Sequence, residues 1–476
     1  MKKYLGLDIG TTSLKAAVFD ECGKRLALRS VDYVLDTDPA TGFIEFDAEE
    51  YVRMCTRVTD ELAAEVGGID ALSVDTQGET MIFADAAGNA LYPAINWLDN
   101  RASAEADEIR AHFGNKRVYE VTGQPEITAG WPACKALWFR RHHPELWEKT
   151  AHIFLLEDWI LFRMSGRAVT EPTIQSSSIW YDVVRGCWWQ EMLEYIGVPA
   201  SVLPEMVASA SAVGSYKGIR VVAGGLDQIA GTIGSGVTGK GRVSEMTGTI
   251  MAICALTDTL PPYNPQSIIP CHVHAIRGKY CLILWSSTAG MALKWFRNTL
   301  CEDFSFRQLD ELAKDVAPGC EGLAMLPYFC GSAMPRYDPD ARAVFAGLTL
   351  GHTRGHMARA IMEAVAYTLR QDLEYISDAT GDVGEIRITG GGASSPLWSQ
   401  IKSDVTGKTL HTLAESETAC LGTAIFAMVG DGRYASIEEA AEQTAAVGRE
   451  YTPSGADYEA AYENWCALDR KMAGIN

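Results

Sequence analysis

Three short apolar runs, near residues 4–9, 13–20 and 25–34, predict strands, and a helical spacing from Glu49 to Val66 then gives way to another strand from Ile69 to Thr76. This β-β-β-α-β order returns in the second half. Strands are predicted near 242–249, 251–256 and 280–287, followed by a helix from Ala289 to about Leu300 and by further strand and helix units. Little residue identity links the halves, so the repetition is one of architecture. It predicts an α/β chain of two similar lobes with a cleft between them, residues 1–240 and 241–476, the boundary lying near Gly239. Residues 131–189 hold seven of the twelve tryptophans on a helical, loop-rich background and read as an insertion on the first lobe. Indoles are more often core than ligand platform, so at most one or two are expected to serve binding.

Composition narrows the partners. A chain of 476 residues with 47% apolar content outgrows a single core. Its formal charge of −20, with no basic stripe, sets it against nucleic acid and anionic membranes. The twelve cysteines form no C-x-x-C pair and read as thiols of a reducing compartment. No apolar stretch reaches the ~18 residues of a membrane span and no signal-peptide core opens the chain, so a cytoplasmic location is expected. His272 and His274 alternate along a predicted strand without a third ligand and read as a strand pair, not a metal site.

The first strand ends in Asp8-Ile9-Gly10-Thr11-Thr12. A glycine turn flanked by hydroxyls lets backbone approach an anion closely, and Asp8 offers a carboxylate where a magnesium ion would sit, although the same residues also suit a plain hairpin. Met246-Thr247-Gly248-Thr249 repeats the pattern at the start of the second half. Two such turns facing each other could hold a phosphate chain from both sides. Glu385 to Thr389 is a strand ending in Gly390-Gly391-Gly392-Ala393, where a flat purine could lie against bare backbone, with a helix from Pro396 to Thr406 beyond. In Val222 to Gln228 a buried strand delivers Asp227 to a helix N-terminus. There it could accept the proton of an attacking hydroxyl, or merely cap the helix.

Two glycine strings mislead. Gly234 to Gly239 satisfies G-x-G-x-x-G, and Gly234 to Lys240 satisfies a P-loop except that Gly241 replaces the final Ser or Thr. A phosphate loop must follow a strand and open a helix, whereas this stretch follows a predicted helix and precedes a strand, so it reads as the connection between lobes.

Together with Gly42 to Asp47, Gln77-Gly78-Glu79-Thr80, Trp97-Leu98-Asp99-Asn100-Arg101, Lys135 to Arg141, Gly290 to Trp295, Pro327 to Gly331, Asp338 to Arg342 and Gly347 to Leu350, these segments resemble the FGGY carbohydrate kinases of the actin-like ATPase superfamily along nearly the whole chain. The resemblance implies two actin-like (ribonuclease H-like) lobes with the active site in the interlobe cleft, the first lobe for sugar and the second for nucleotide. It implies ATP and Mg2+ as cofactors and a small sugar or polyol as substrate, and allows a homodimer. It implies Asp227 as general base and Asp8 as orienting magnesium through water. Gly10, Thr11, Thr12, Thr247, Gly248 and Thr249 would contact phosphates. Gly290, Lys294, Gly391, Gly392 and Ala393 would hold adenosine, and Gln77, Gly78, Glu79, Trp97, Asp99 and Gln228 would line the acceptor pocket.

The acceptor is the open point. Glu79, Thr80 and Gln228 lean toward the glycerol kinases of the family, but Gly78 stands where those carry an arginine, which is expected to open space for a longer substrate. Pro327 to Gly331 and Trp138 to Arg141 resemble the xylulose kinase branch, so a ketose such as xylulose is the expected acceptor. The alternatives are glycerol, another polyol or a sugar acid, a non-catalytic sugar-sensing protein, or a chaperone-like ATPase.

Overall fold

The computed structural model describes residues 1–265, 268–334 and 337–473. The first sheet begins with β1 (Lys3–Ile9), β2 (Ser13–Asp20) and β3 (Arg25–Asp32), then helix α1 (Ala48–Val66) and β4 (Ala71–Thr76). After a long, mainly helical excursion the chain returns as β5 (Ala212–Tyr216) and β6 (Ile219–Leu226), which leads straight into helix α2 (Asp227–Gly234). The order across the sheet is β5-β6-β4-β1-β2-β3. Strands β1, β4 and β6 run parallel, and the remaining neighbours are antiparallel.

The second half continues with β7 (Arg242–Thr247), β8 (Met251–Thr257), β9 (Cys271–Val273), β10 (Tyr280–Ser286), α3 (Gly290–Leu300), α4 (Arg354–Thr380), β11 (Glu385–Thr389), α5 (Pro396–Thr406), β12 (Thr409–Leu413), α6 (Thr418–Gly430) and β13 (Val447–Tyr451). Its sheet has the order β9-β10-β8-β7-β11-β12-β13. Apart from edge strand β9, it copies the first sheet with the same senses, β7 in the place of β1, β11 of β4 and β12 of β6. The architectural repeat expected from the sequence is present. Parallel strands gather their C-terminal ends at one edge, where open α/β sheets bind ligands.

Strand periodicity then decides what reaches that edge. Leu5, Leu7 and Ile9 pack with α1 residues Tyr51, Met54 and Val58 on one face of β1, so Tyr4, Gly6 and Asp8 face the other side. That side is covered by α2 and by α6, a helix from the far end of the chain. The approach is close: a Cβ on Gly6 would lie 2.0 Å from the Cys420 carbonyl oxygen, and one on Gly422 would lie 1.8 Å from that of Ala230. Only glycine allows these helices and this strand to meet backbone to backbone.

The string Gly234 to Gly241 joins α2 to β7, as its helix-before-strand context predicts. The tryptophans of residues 131–189 are core: Trp138, Trp180 and Trp189 are buried in one cluster against which Trp131, Trp147 and Trp188 pack, and Trp159 is buried in the cluster that holds β1 and α1. Among the described residues no helix is long and apolar enough to cross a membrane, and no group of metal-ligating side chains is poised to hold an ion by itself.

Candidate active site

Three neighbouring parallel strands of the first lobe each end in a carboxylate. Register pairs Asp8 on β1 with Asp75 on β4, and Gly225 on β6 with Asp75, which places Asp227 just past the end of the third strand. Among the described residues no ion pair reaches any of the three. Lys15, whose charge is felt at Asp8, is taken by Glu417 at 2.7 Å. Burial without a cation raises a carboxyl's pKa, and Asp75 is buried while Asp8 and Asp227 are half-buried. Burial pushes Asp227 up to about 8, reinforced by the charge of Asp8 and opposed by the Gln228 N–H, which donates to Oδ1 at 2.6 Å. Burial likewise pushes Asp8 to about 6 and holds Asp75 well above the usual carboxylate range, the latter also repelled by Asp8. One Asp75 oxygen accepts from the Thr423 hydroxyl of α6, and its other oxygen is buried without a partner.

Asp75 joins the candidate site by register alone and is absent from the residues that the sequence motifs single out. A signal was available, since Ala71 to Asp75 repeats the pattern of Tyr4 to Asp8, a buried strand ending in an aspartate.

The turn after β1 stays open to a ligand. A Cβ on Gly10 would meet nothing closer than the Ser13 carbonyl at 3.5 Å. Thr11 accepts a hydrogen bond from the Trp97 indole Nε1 at 3.0 Å, which ties the predicted acceptor-side loop to the phosphate turn, and Thr12 is exposed. Trp97 itself is 37% exposed.

The corresponding turn of the second lobe is built differently. The Thr247 hydroxyl points inward, donating to Glu245 and accepting from the ammonium of Lys402 at 2.6 Å, while that ammonium also bonds Glu245 at 2.9 Å. All three side chains are buried. The expectation that the Thr247 side chain touches phosphate is therefore corrected: its hydroxyl is consumed inside the lobe. Gly290, Gly390 and Gly392 pack against the same turn, each with a virtual Cβ within 2.6 Å of Gly248 or Thr247 atoms. They serve packing, whereas Gly391 has nothing within 4 Å and Gly248 meets only the Ile250 carbonyl at 4.0 Å. Those two, with exposed Thr249 and Lys294 and half-buried Ala393, form the accessible face of the predicted nucleotide side.

Of the residues predicted for the acceptor side, Glu79 acts on Asp227 through its charge, Gln77 Nε2 donates to the Tyr51 hydroxyl at 3.4 Å, and Gln228 Oε1 accepts from the Cys254 thiol at 4.0 Å. Gln77 is 3% exposed with its carbonyl oxygen unpartnered. Glu79 adopts a left-handed backbone at φ 52°, a strained setting for a non-glycine residue and one that clusters at functional loops. Burial pushes its carboxyl up to about 7, against a hydrogen bond from Ser177 and the charge of Lys135. Lys135, lowered to about 7 by burial, donates to the carbonyls of Glu79 and Asn96 at 3.1 and 2.7 Å.

Two expectations fail here. A Cβ on Gly78 would sit 2.9 Å from Ser177 Oγ and 3.2 Å from Leu226 Cδ1, so the missing side chain leaves no open space. Asp99 is not free to grip an acceptor, because its oxygens accept from Ile44 N at 2.6 Å and from Arg101 at 2.8 Å, with Arg101 also held by Glu45. It anchors the loop that carries Trp97.

Residues 3–236 match the N-terminal domain, and residues 254–430 the C-terminal domain, of the FGGY family of carbohydrate kinases. The chain is 28% identical over 458 residues to a xylulose kinase of Bacillus subtilis (strain 168), covering 93% of this chain and 91% of that protein. It is 29% identical over 460 residues to a glycerol kinase of Trichlorobacter lovleyi, covering 92% of each. The fold superposes on ligand-bound xylulose kinase from Lactobacillus acidophilus with a TM-score of 0.92 at 24% identity, over 100% of this chain and 99% of that one.

Proposed function

The chain belongs to the FGGY family of carbohydrate kinases and is a phosphotransferase with two actin-like lobes, and on that premise we propose that it transfers the γ-phosphoryl group of ATP to a terminal hydroxyl of a ketose, xylulose or a near relative. The observation that carries the reading is the row of carboxyls, Asp8, Asp75 and Asp227, at one edge of the first lobe's sheet, with no ion pair to any of them among the described residues. We assign residues 1–240 to the acceptor and 241–476 to the nucleotide.

Asp227 serves as general base. It stands at the first turn of α2, and as ionised carboxylate it takes the acceptor hydroxyl proton as that oxygen attacks phosphorus in line. Asp8 and Asp75 sit side by side at the strand ends with no ion pair among the described residues, which suits a divalent cation held through water and phosphate rather than by side chains alone. Asp8 would hold Mg2+ through water, and the ion when bound neutralises charge on the phosphates. Neutralising Asp8 in this way also removes the repulsion that raises Asp227, which favours the ionised base. We assign the backbone of Gly10, Thr11 and Thr12, and that of Gly248 and Thr249, to the phosphates. Gly391 and Ala393 present bare backbone for the base and ribose, and Gln77, Glu79, Trp97 and Gln228 orient the acceptor. Closure of the lobes excludes water and spares ATP from hydrolysis.

A polyol such as glycerol is the second reading, favoured by Glu79 and Thr80 beside Gln77 and by Gln228 after the base. It gains weight from Gly78, whose surroundings are filled by Ser177 and thus give no extra room. An ADP-release assay across pentuloses, hexuloses, polyols and sugar acids decides between them. A pentulose giving the highest kcat/KM supports the lead, glycerol giving it supports the second reading, and release of ADP at one rate regardless of acceptor overturns both.

A further inference from the structure

The strand that delivers Asp227 is irregular where it matters. Along β6 and β4, Val222 pairs with Ser73 but Gly225 pairs with Asp75, so Ala223 and Gly224 together oppose Val74 and the strand bulges just before the aspartate. Bulges re-aim side chains near active sites. The backbone there is held from outside the sheet by the helical excursion. Gly224 N–H donates to Glu157 Oε1 at 2.9 Å, from the helix Leu156–Ser165. Leu226 N–H donates to the Thr173 hydroxyl at 2.9 Å, and that hydroxyl donates to Glu171 Oε1 at 2.6 Å.

Glu171 is fixed in turn by the N–H groups of Thr173 and Ile174 at 2.8 and 2.5 Å and by the Ser209 hydroxyl at 2.6 Å. Glu157, Glu171 and Thr173 are fully buried. The contacts are tight on both sides: a Cβ on Gly224 would lie 2.0 Å from the Val74 carbonyl oxygen, and one on Gly225 would lie 2.6 Å from Thr173 Oγ1. Glu171 also caps the short helix Pro172–Gln175, so one carboxylate ties the excursion's own fold to the strand that carries Asp227.

We infer that Glu157, and Glu171 acting through the Thr173 hydroxyl, are positioning residues that set the bulged backbone at 224–226 and so the aim of Asp227. None of the three touches a reacting atom. The inference rests on the reading of Asp227 as the base. Displacements of about 1 Å at a reacting group are enough to cost roughly a hundredfold in rate, so loss of one backbone clamp is expected to lower kcat by about tenfold or more.

The test is a double-mutant cycle in the intact chain with Thr173→Val, Thr173→Ser and Asp227→Asn, read as kcat and KM for both substrates alongside Tm. Thr173→Val is expected to lower kcat by about tenfold with KM for ATP unchanged, Thr173→Ser to restore most of it, and Thr173→Val on the Asp227→Asn background to cost nothing further. Equal losses of kcat from Thr173→Val in the presence and absence of Asp227 would overturn the inference, as would parental kcat in a folded Thr173→Val. Should Thr173→Val not fold, Thr173→Ala, which also removes the hydroxyl, carries the test through the pH profile of kcat, whose limb assigned to the base moves if the clamp sets Asp227 and stays if it does not. Parental turnover in Asp227→Asn alone would instead sink the reading of the base, which separates the two failures.

Discussion

The two lobes share one topology and fill the same edge in opposite ways. The first lobe ends β1, β4 and β6 in Asp8, Asp75 and Asp227, with no protein cation among the described residues to balance them. At the equivalent edge of the second lobe, Glu245 is matched by Lys402 at 2.9 Å, and Thr247 closes the network from within. One lobe keeps carboxyls whose pKa values are raised for want of a cation, and the other pairs its carboxylate internally, so the first awaits a cationic partner and the second is preformed. The strain is local to the first edge, where chemistry needs it.

Breaking the saturated side should produce the largest loss of stability. Lys402→Met leaves Glu245 buried and unpaired and is expected to cost about 3–5 kcal/mol, seen as a lower denaturant midpoint, while Lys402→Met with Glu245→Leu recovers most of it. The corresponding neutralisation on the open side has the opposite sign. Asp75→Asn removes a carboxyl whose ionisation burial and the Asp8 charge oppose, while leaving an acceptor for Thr423, so its Tm should equal or exceed that of the parent.

Acidity sharpens the contrast. Asp8 and Asp227 have folded pKa values raised from 3.8 to about 6 and about 8, so the folded chain binds more protons there than the unfolded one. Their contribution is present at low pH and lost as pH rises through those values. In metal-free buffer Tm should therefore fall from pH 6 to 8, with a smaller slope in Asp227→Asn. His272 and His274 of the second lobe behave oppositely. Burial lowers them from 6.5 to about 4 and about 3, so the stability of their neutral forms is lost as pH falls from 6.5 toward those values. The acid slope should shrink in His274→Asn, which keeps an acceptor for the Ile276 N–H.

The smallest effect tests the cradle. Gly391→Ala has open space around it and no left-handed backbone to strain, so Tm should hold while KM for ATP rises several-fold, if adenosine lies on that backbone. Unchanged KM would move the adenosine elsewhere.

Much of this was legible in the chain. Strand order, the turn at Asp8 to Thr12, the placement of Asp227 and the rejection of Gly234 to Gly241 as a phosphate loop all depend on local periodicity and on what precedes and follows a glycine. What was not legible depends on long-range pairing. Lys402 lies on a helix far along the chain from Thr247, and no spacing rule announces that it will capture that hydroxyl. Ser177 fills the place beside Gly78 from an excursion whose path the sequence does not give, and Arg101 occupies Asp99 because both are buried together. Helix α6 returns from the second half to cover the first sheet, where Thr423 meets Asp75. Asp75 was readable as a strand end but looked like one more alternating polar residue until its neighbours were known.

The central claim is that Asp227 draws the proton from the acceptor. Acceptor-dependent ADP formation by Asp227→Asn, measured beside its ATP affinity by calorimetry, tests this most directly. The account predicts turnover lower by roughly a hundredfold or more with ATP binding near that of the parent. Turnover near the parental rate, with a folded and ATP-binding variant, would contradict it.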